Sequence, residues 1–234
     1  MAHTYSLGRA RASSAGNPIT FSYTVAAGDT VICLLLNVAS GTSRAGGSPT
    51  WGSYTFTQRS STQKAAASPE ASAELWDVLN PFPGTATLTI PNTGALTILH
   101  TVAIGRAAGG GYSAFDAASG GNNTATNPTP GAVTVSQAGD IAFGIAAGGW
   151  QTWSPSAQVG TIIANTDDGA TGGGEQYILN PGLGSHTLSW TFGTSDDWGA
   201  VAAYYKETPP RNINVFKSVR AGSGISVGER AGFK

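Results

Sequence analysis

The chain holds three histidines, His3, His100 and His186, and a nucleophilic mechanism that relies on a histidine base must use one of them. His100 lies inside LTILHTVAI and His186 opens SHTLSWTF. In such strand-like stretches a histidine is ordinarily held by one polar partner. The signatures GxSxG, HExxH and GxxxxGK[ST] do not occur, so serine-hydrolase, zincin and P-loop chemistry lack their local marks. Paired carboxylates are the stronger chemical signal: Glu70 with Glu74, Asp167-Asp168 and Asp196-Asp197. Two carboxyls flanking a sugar bond make a glycosidase, and loop carboxylates with carbonyls make a calcium site. Asp-Asp-Gly and Ser-Asp-Asp-Trp are equally ordinary turn compositions. Turn and cap roles are therefore expected. Ca2+ at Asp167, Asp168, Asp196 or Asp197 is the metal alternative, and polysaccharide cleavage the enzymatic one.

Aromatic residues suggest binding rather than catalysis. Of six tryptophans, Trp150 and Trp153 sit in GGWQTWSPS, a Gly/Ser/Pro loop where exposed rings would offer a flat platform for a surface glycan. Trp76, Trp190 and Trp198 lie within or beside apolar strand patterns, where core packing is the expectation. The lone Cys33, inside VICLLLNV, reads as a buried small hydrophobe; it allows neither an intrachain disulfide nor a cysteine zinc site.

The elements that would position these residues are strands. Only 11% of the 234 residues are charged, Gly contributes 33, and 40% are hydrophobic, a composition suited to closely packed sheets with tight turns. Segments rich in β-branched and aromatic residues recur between Gly, Pro and Asn punctuation: ITFSYTV, TVICLLLNV, YTFTQRS, AELWDVL, TATLTI, LTILHTVAI, AVTVS, DIAFGIAA, TIIANT, EQYILN, SHTLSWTF and GAVAAYY. KAAASPEASAELW allows a short helical turn, and no window sustains a longer helical period. The net charge of −1 gives no electrostatic argument for nucleic acid or an anionic membrane, and no apolar run is long enough for a membrane-spanning helix. MAHTYSLGRARASS lacks the apolar core of a Sec signal, so the expectation is a soluble chain working in a virion or extracellular assembly.

An internal repeat organises the strands. Ala27-Gly28-Asp29 precedes one apolar strand and Ala138-Gly139-Asp140 another; Asn80-Pro81 and Asn180-Pro181 each open a Gly-containing turn before a Thr-alternating strand. The expectation is an all-β, double-sheet β-sandwich of jelly-roll type over residues 1–206. Its halves span about 1–106 and 131–206, each covering the other's open apolar face, and a turn-rich crossover occupies 107–130.

The order TVAAGDTVICLLLNVASG, ELWDVLNPFPGTATLTI, FDAASGGNNTATNPTPGAVTVSQAGDIAFGIAAGG, SHTLSWTF and WGAVAAYYKE resembles a family of β-sandwich domains found in tailed-phage virion proteins and bacterial surface proteins. The resemblance covers roughly Tyr5 to Glu207. It implies a jelly-roll scaffold and structural or adhesive service. No catalytic residues follow from it.

The remaining stretch, 207–234, is expected to be an extended assembly arm. Lys and Arg number seven against eleven Asp and Glu in residues 1–206, and five against two in 207–234, so a cationic arm follows an acidic body. Pro209-Pro210 is a stiff spacer, and NINVF and GISV then alternate polar and apolar residues with too few strands to fold alone. Strand addition to a neighbouring subunit would bury Ile213, Val215, Phe216, Ile225 and Val227, with Lys217, Arg220 and Arg230 meeting acidic surface. GRARASSAGN at the other terminus is a candidate second arm.

The sequence thus points to a non-enzymatic structural protein, a capsid decoration, tail, fibre or filament subunit. Its partners would be copies of itself or a coat or tail protein; nucleic acid and membrane are not expected as partners. A carbohydrate-binding adhesive module is the alternative.

Overall fold

A computed structural model describes residues 3–13, 18–39, 47–64, 71–91, 98–107, 112–148, 156–157, 160–167 and 172–208. These residues contain strands and turns, and no helix among them is long and apolar enough to cross a membrane. The first half supplies β1 (His3–Ser13), β2 (Ile19–Val25), β3 (Asp29–Ala39), β4 (Thr50–Trp51), β5 (Tyr54–Thr55), β6 (Thr57–Lys64), β7 (Ala71–Leu79), β8 (Gly84–Ile90) and β9 (Ile98–Ala107). The second supplies β10 (Tyr112–Ala125), β11 (Val133–Val135), β12 (Ile141–Gly148), β13 (Ser156–Ala157), β14 (Thr161–Asp167), β15 (Gly172–Leu179), β16 (Gly184–His186), β17 (Trp190–Thr191) and β18 (Asp196–Thr208). Every segment read as a strand from its composition contains one.

Each half builds an antiparallel five-stranded sheet in the same order, β1-β9-β3-β7-β6 and β10-β18-β12-β15-β14. The two sheets face each other across a central core in which Val31, Leu35 and Leu75 meet Phe143, Ile145 and Tyr205. The expected arrangement of two sheets covering each other's only apolar face is incomplete. Strands β3, β7 and β12 bury both faces, as near-continuous apolar strands do when something covers each side. On the far face of the first sheet, Leu34, Leu36 and Trp76 pack against Ile19, Trp51 and Leu88 from the small sheet β2-β8-β4-β5. On the far face of the second, Ala142, Ala146 and Ala202 pack against Val133, Leu188 and Trp190 around the pairs β11-β16 and β13-β17. The molecule therefore has four layers, each half being a sandwich in its own right.

Two further expectations change. The stretch 107–130 carries the fourteen-residue strand β10, paired with β18 from Tyr112↔Thr208 to Ala125↔Asp196. Its Gly, Asn and Ala residues read as turn formers, yet they let this edge lie close to the first sheet. Ser60 Oγ donates to the Ser119 carbonyl at 2.9 Å, and a Cβ on Gly120 would stand 2.9 Å from that hydroxyl. Strand β9 ends at Ala107 in the first sheet and β10 begins at Tyr112 in the second. Much of GRARASSAGN, the candidate second arm, belongs to β1, an edge strand paired with β9 up to Ser13↔Ile98.

The repeated Asn-Pro turns match in conformation. Asn80 and Asn180 both adopt a left-handed backbone, φ 51° and 52°, in addition to the positive φ of the turn glycines, Gly84 at 158°, Gly182 at 81° and Gly184 at 114°. Their amides close the same contact: Asn80 N donates to the Thr30 carbonyl and Asn180 N to the Asp140 carbonyl, both at 2.8 Å. Asn80 does more, because its side chain both accepts from Ser113 N and donates to Ser113 O at 2.8 Å, fastening β10 to the first half. Asn80→Ala should therefore cost about 2 kcal/mol, left-handed strain plus two hydrogen bonds, while Asn180→Ala costs about 1 from strain alone. Urea denaturation checks this; equal losses would mean that the bridge to Ser113 contributes nothing.

Candidate functional site

The Ala-Gly-Asp repeat is offset by one residue in space. Ladder pairing aligns Val31↔Leu79 with Ile141↔Leu179, so Asp140 occupies the rung of Thr30 rather than that of Asp29. Asp29 keeps its rung opposite Arg106, its carboxylate accepting from Ala26 N at 2.8 Å, and Thr30 is the extra residue where the β3–β9 register slips before Val31. Thr30 meets the Ser113 hydroxyl at 2.7 Å, whereas Asp140 lies within electrostatic reach of a second carboxyl, that of Asp116.

Asp116 is the extra residue where the β10–β18 register slips between Phe115 and Ala117. The bulge turns it toward the β11–β12 turn, where it accepts from Ser136 N at 3.0 Å and Ser136 Oγ at 2.6 Å. Lys206 Nζ donates to it at 3.1 Å. Burial works to raise its pKa, but the Ser136 bonds and the Lys206 ammonium together hold it below the usual carboxylate value. Asp140 is 0% exposed, and among the described residues no donor reaches either of its oxygens. Burial first, and the neighbouring Asp116 charge second, push its pKa up to about 7. Environment thus drives two adjacent carboxyls apart.

These groups lie at one end of the molecule. Tyr205, Ile141 and Leu179 share a rung, and Ser113↔Glu207 stands beyond it, where β18 finishes at Thr208. Asn80 reaches Ser113 and Asn180 follows Leu179, so both Asn-Pro turns project from this end. Two of the three exposed large apolar side chains among the described residues are at their tips, Phe82 at 78% and Leu183 at 68% exposure; the third, Leu179 at 37%, ends β15 just before the second turn. The tips are fixed in place. Phe82 N donates to the Tyr54 hydroxyl at 2.9 Å, and the His186 ring reaches the Gly182 carbonyl at 3.2 Å.

The residues singled out by sequence fare differently. Asp197 accepts from the Thr124 hydroxyl and Asp196 from Asp197 N at 2.8 Å, so this pair takes the cap role at the far end of the β10–β18 ladder. Asp167 ends β14 opposite Gly172, and Asp168 lies outside the described residues. Glu74 is buried and accepts from Trp76 Nε1 at 2.9 Å, and Glu70 lies outside the description, so that pair forms no described groove. No group of three metal-ligating side chains occurs among the described residues. His3 and His100 sit on adjacent strands but at different levels, opposite Ala107 and Arg11. Trp76, Trp190 and Trp198 are core residues, as expected, and Trp51 joins them. Trp150, Trp153 and the arm residues Ile213, Val215, Phe216, Lys217, Arg220, Ile225, Val227 and Arg230 lie outside the described residues.

Sequence reading missed the Asp116–Asp140 pair and the apolar tips of the Asn-Pro turns. The first depends on a bulge that pairing alone reveals. The second had a readable signal, a large apolar residue after Asn-Pro in both halves, NPFPG and NPGLG. Cys33 is buried between the sheets, its Sγ 3.8 Å from the Tyr205 hydroxyl, and burial raises its pKa, which keeps the thiol protonated and inert. No protein family, curated protein or solved structure matches this chain.

Proposed function

We propose that this chain is a non-enzymatic structural subunit of a phage-like virion or comparable surface assembly. In this reading it is a jelly-roll-type body whose residues 207–234 add strands to, or dock on, neighbouring subunits. The observation that carries the reading is the end where β18 finishes: two equivalent Asn-Pro turns, each leading from one sheet to another, hold Phe82 and Leu183 out into solvent on anchored backbone. A lone exposed apolar side chain is ordinary, but one on each of two equivalent turns at the same end is what an interface anchor requires. The apolar positions of 207–234 follow from that same end. Decoration, tail, fibre and filament roles all use such a contact.

Light scattering on the full chain, on a chain stopped after Thr208, and on Phe82→Ser with Leu183→Ser tests this. The expected result is an oligomer or filament for the full chain and a folded monomer for the other two. A full chain that remains monomeric at high concentration and with isolated assemblies would count against the reading. Retention on glycan surfaces, lost in Trp150→Ala with Trp153→Ala, would put the adhesive alternative in its place.

A further inference from the structure

The Asp116–Asp140 pair is an expensive arrangement that no turn or cap role explains. Three elements converge on it: β10 through the Asp116 bulge, the start of β12 through Asp140, and β18 through Lys206, two residues before that strand ends. Asp116 is fully engaged, by Ser136 twice and by Lys206. Asp140 has 0% exposure, no donor among the described residues reaches either of its oxygens, and it directly precedes Ile141, whose rung partner Tyr205 directly precedes Lys206. Two carboxylates beside one ammonium leave a single uncompensated negative charge in a buried place. One proton removes it, whereas a divalent cation would overcompensate while sitting next to the Lys206 ammonium.

We infer that Asp116 and Asp140 share one proton and form a proton-operated clasp, which ties the bulge of β10, the β11–β12 turn and the end of β18 together and loosens when that proton leaves. Protonated, Asp140 Oδ donates to Asp116, whose remaining lone pairs keep Ser136 and Lys206. Deprotonated, like charges face each other with no second cation. The charged groups facing Asp140 are Asp116 from β10 and Lys206 from β18; its neighbours Leu179, at the end of β15, and Asn180, in the turn that follows, carry none. Because the clasp stands where residues 209–234 begin, pH would set how firmly their root is held. This inference stands whether or not those residues dock on a neighbour.

The test compares full-length wild type with Asp140→Asn, whose amide donates to Asp116 at every pH. The folded-state pKa lies above the unfolded one, so the folded protein keeps a proton that the unfolded chain releases. Wild-type stability relative to the variant must therefore fall as pH climbs from about 4 to about 7 and level off above. The variant's Tm advantage should be near zero at pH 4.5 and reach about 5 °C or more at pH 8. Carbon-13 NMR should show one aspartate carboxyl titrating near neutrality in wild type and absent from Asp140→Asn. A pH-independent Tm difference, or no such carboxyl, overturns the clasp. So does a Tm increase with calcium chloride at pH 8 that Asp140→Asn lacks, since the pair would then hold a cation. If Asp140→Asn does not fold, Lys206→Met serves: loss of the ammonium should move the carboxyl midpoint upward, and an unmoved midpoint refutes the coupling.

Discussion

Arg59→Ala is expected to destabilise the protein by about 3 to 5 kcal/mol, the cost of stranding a buried charge whose partner is removed. Asp77 lies on the inner face of β7, 1% exposed, and Arg59 Nε donates to it at 2.8 Å. Arg59 is the residue at which the β6–β7 register slips between Gln58 and Ser60, so a bulge aims a charged side chain from an edge strand toward the inter-sheet space. The guanidinium also lies 4.4 Å from the centroid of Phe115 on β10, joining the two sheets. Burial raises the pKa of Asp77, and Arg59, with help from the Tyr205 hydroxyl, opposes that rise. Without Arg59 the folded-state pKa climbs further above the unfolded value. The variant then keeps a proton when folded that it sheds on unfolding, and its stability falls as pH rises through that window. Urea denaturation should show a small deficit at pH 4.5 and the full one at pH 8. Asp77→Asn in the same background should recover a large part of it at pH 8. A deficit of equal size at both pH values would mean that Arg59 acts by packing on Phe115 and not by charge.

That network also marks what the sequence could and could not tell. Strand positions were legible because their signals are local: alternation, β-branched content, and Gly, Pro or Asn at the ends. The duplication was legible because the Asn-Pro turns impose one backbone conformation twice, and Asn80 and Asn180 differ by a single degree in φ. Layer count was harder. VICLLLNV announces a strand buried on both faces, but nothing local says that β2 and β8 supply the second cover. Bulges were invisible, and they place the charged groups that matter: Arg59 on Asp77, Asp116 beside Asp140. Strand β10 was hidden for the opposite reason. Its small polar residues resemble a turn until the closeness of the opposing sheet makes small side chains the ones that fit.

The same complementarity between small and large makes Gly144→Val the second severe substitution, at about 3 kcal/mol from overpacking. Along β12 the inner positions Ile141, Phe143 and Ile145 are large, while Ala142, Gly144 and Ala146 form the outer face with Ala200 and Ala202 of β18. In the first half the large side chains on this face, Ile32, Leu34 and Leu36, come from the sheet itself. In the second they come from the outer layer, where Leu188 and Trp190 lie over a floor of small residues. A Cβ on Gly144 would stand 2.5 Å from Leu188 Cδ1, 3.0 Å from the Val201 carbonyl and 3.1 Å from Trp190 Cη2. Leucine can turn aside, but the carbonyl belongs to the β12–β18 ladder and cannot retreat without breaking it. Leu188→Ala combined with Gly144→Val should therefore restore only part of the loss, about 1 kcal/mol of coupling in a double-mutant cycle. Gly120→Ala is the control: its Cβ meets the rotatable Ser60 hydroxyl at 2.9 Å and otherwise nothing nearer than 3.6 Å. It should cost less than about 1 kcal/mol, because a strand glycine gives up backbone entropy that alanine does not. If Gly144→Val were as mild as Gly120→Ala, the outer layer of the second half would be loosely seated, and the four-layer packing would be a stack of sheets without interlocking side chains.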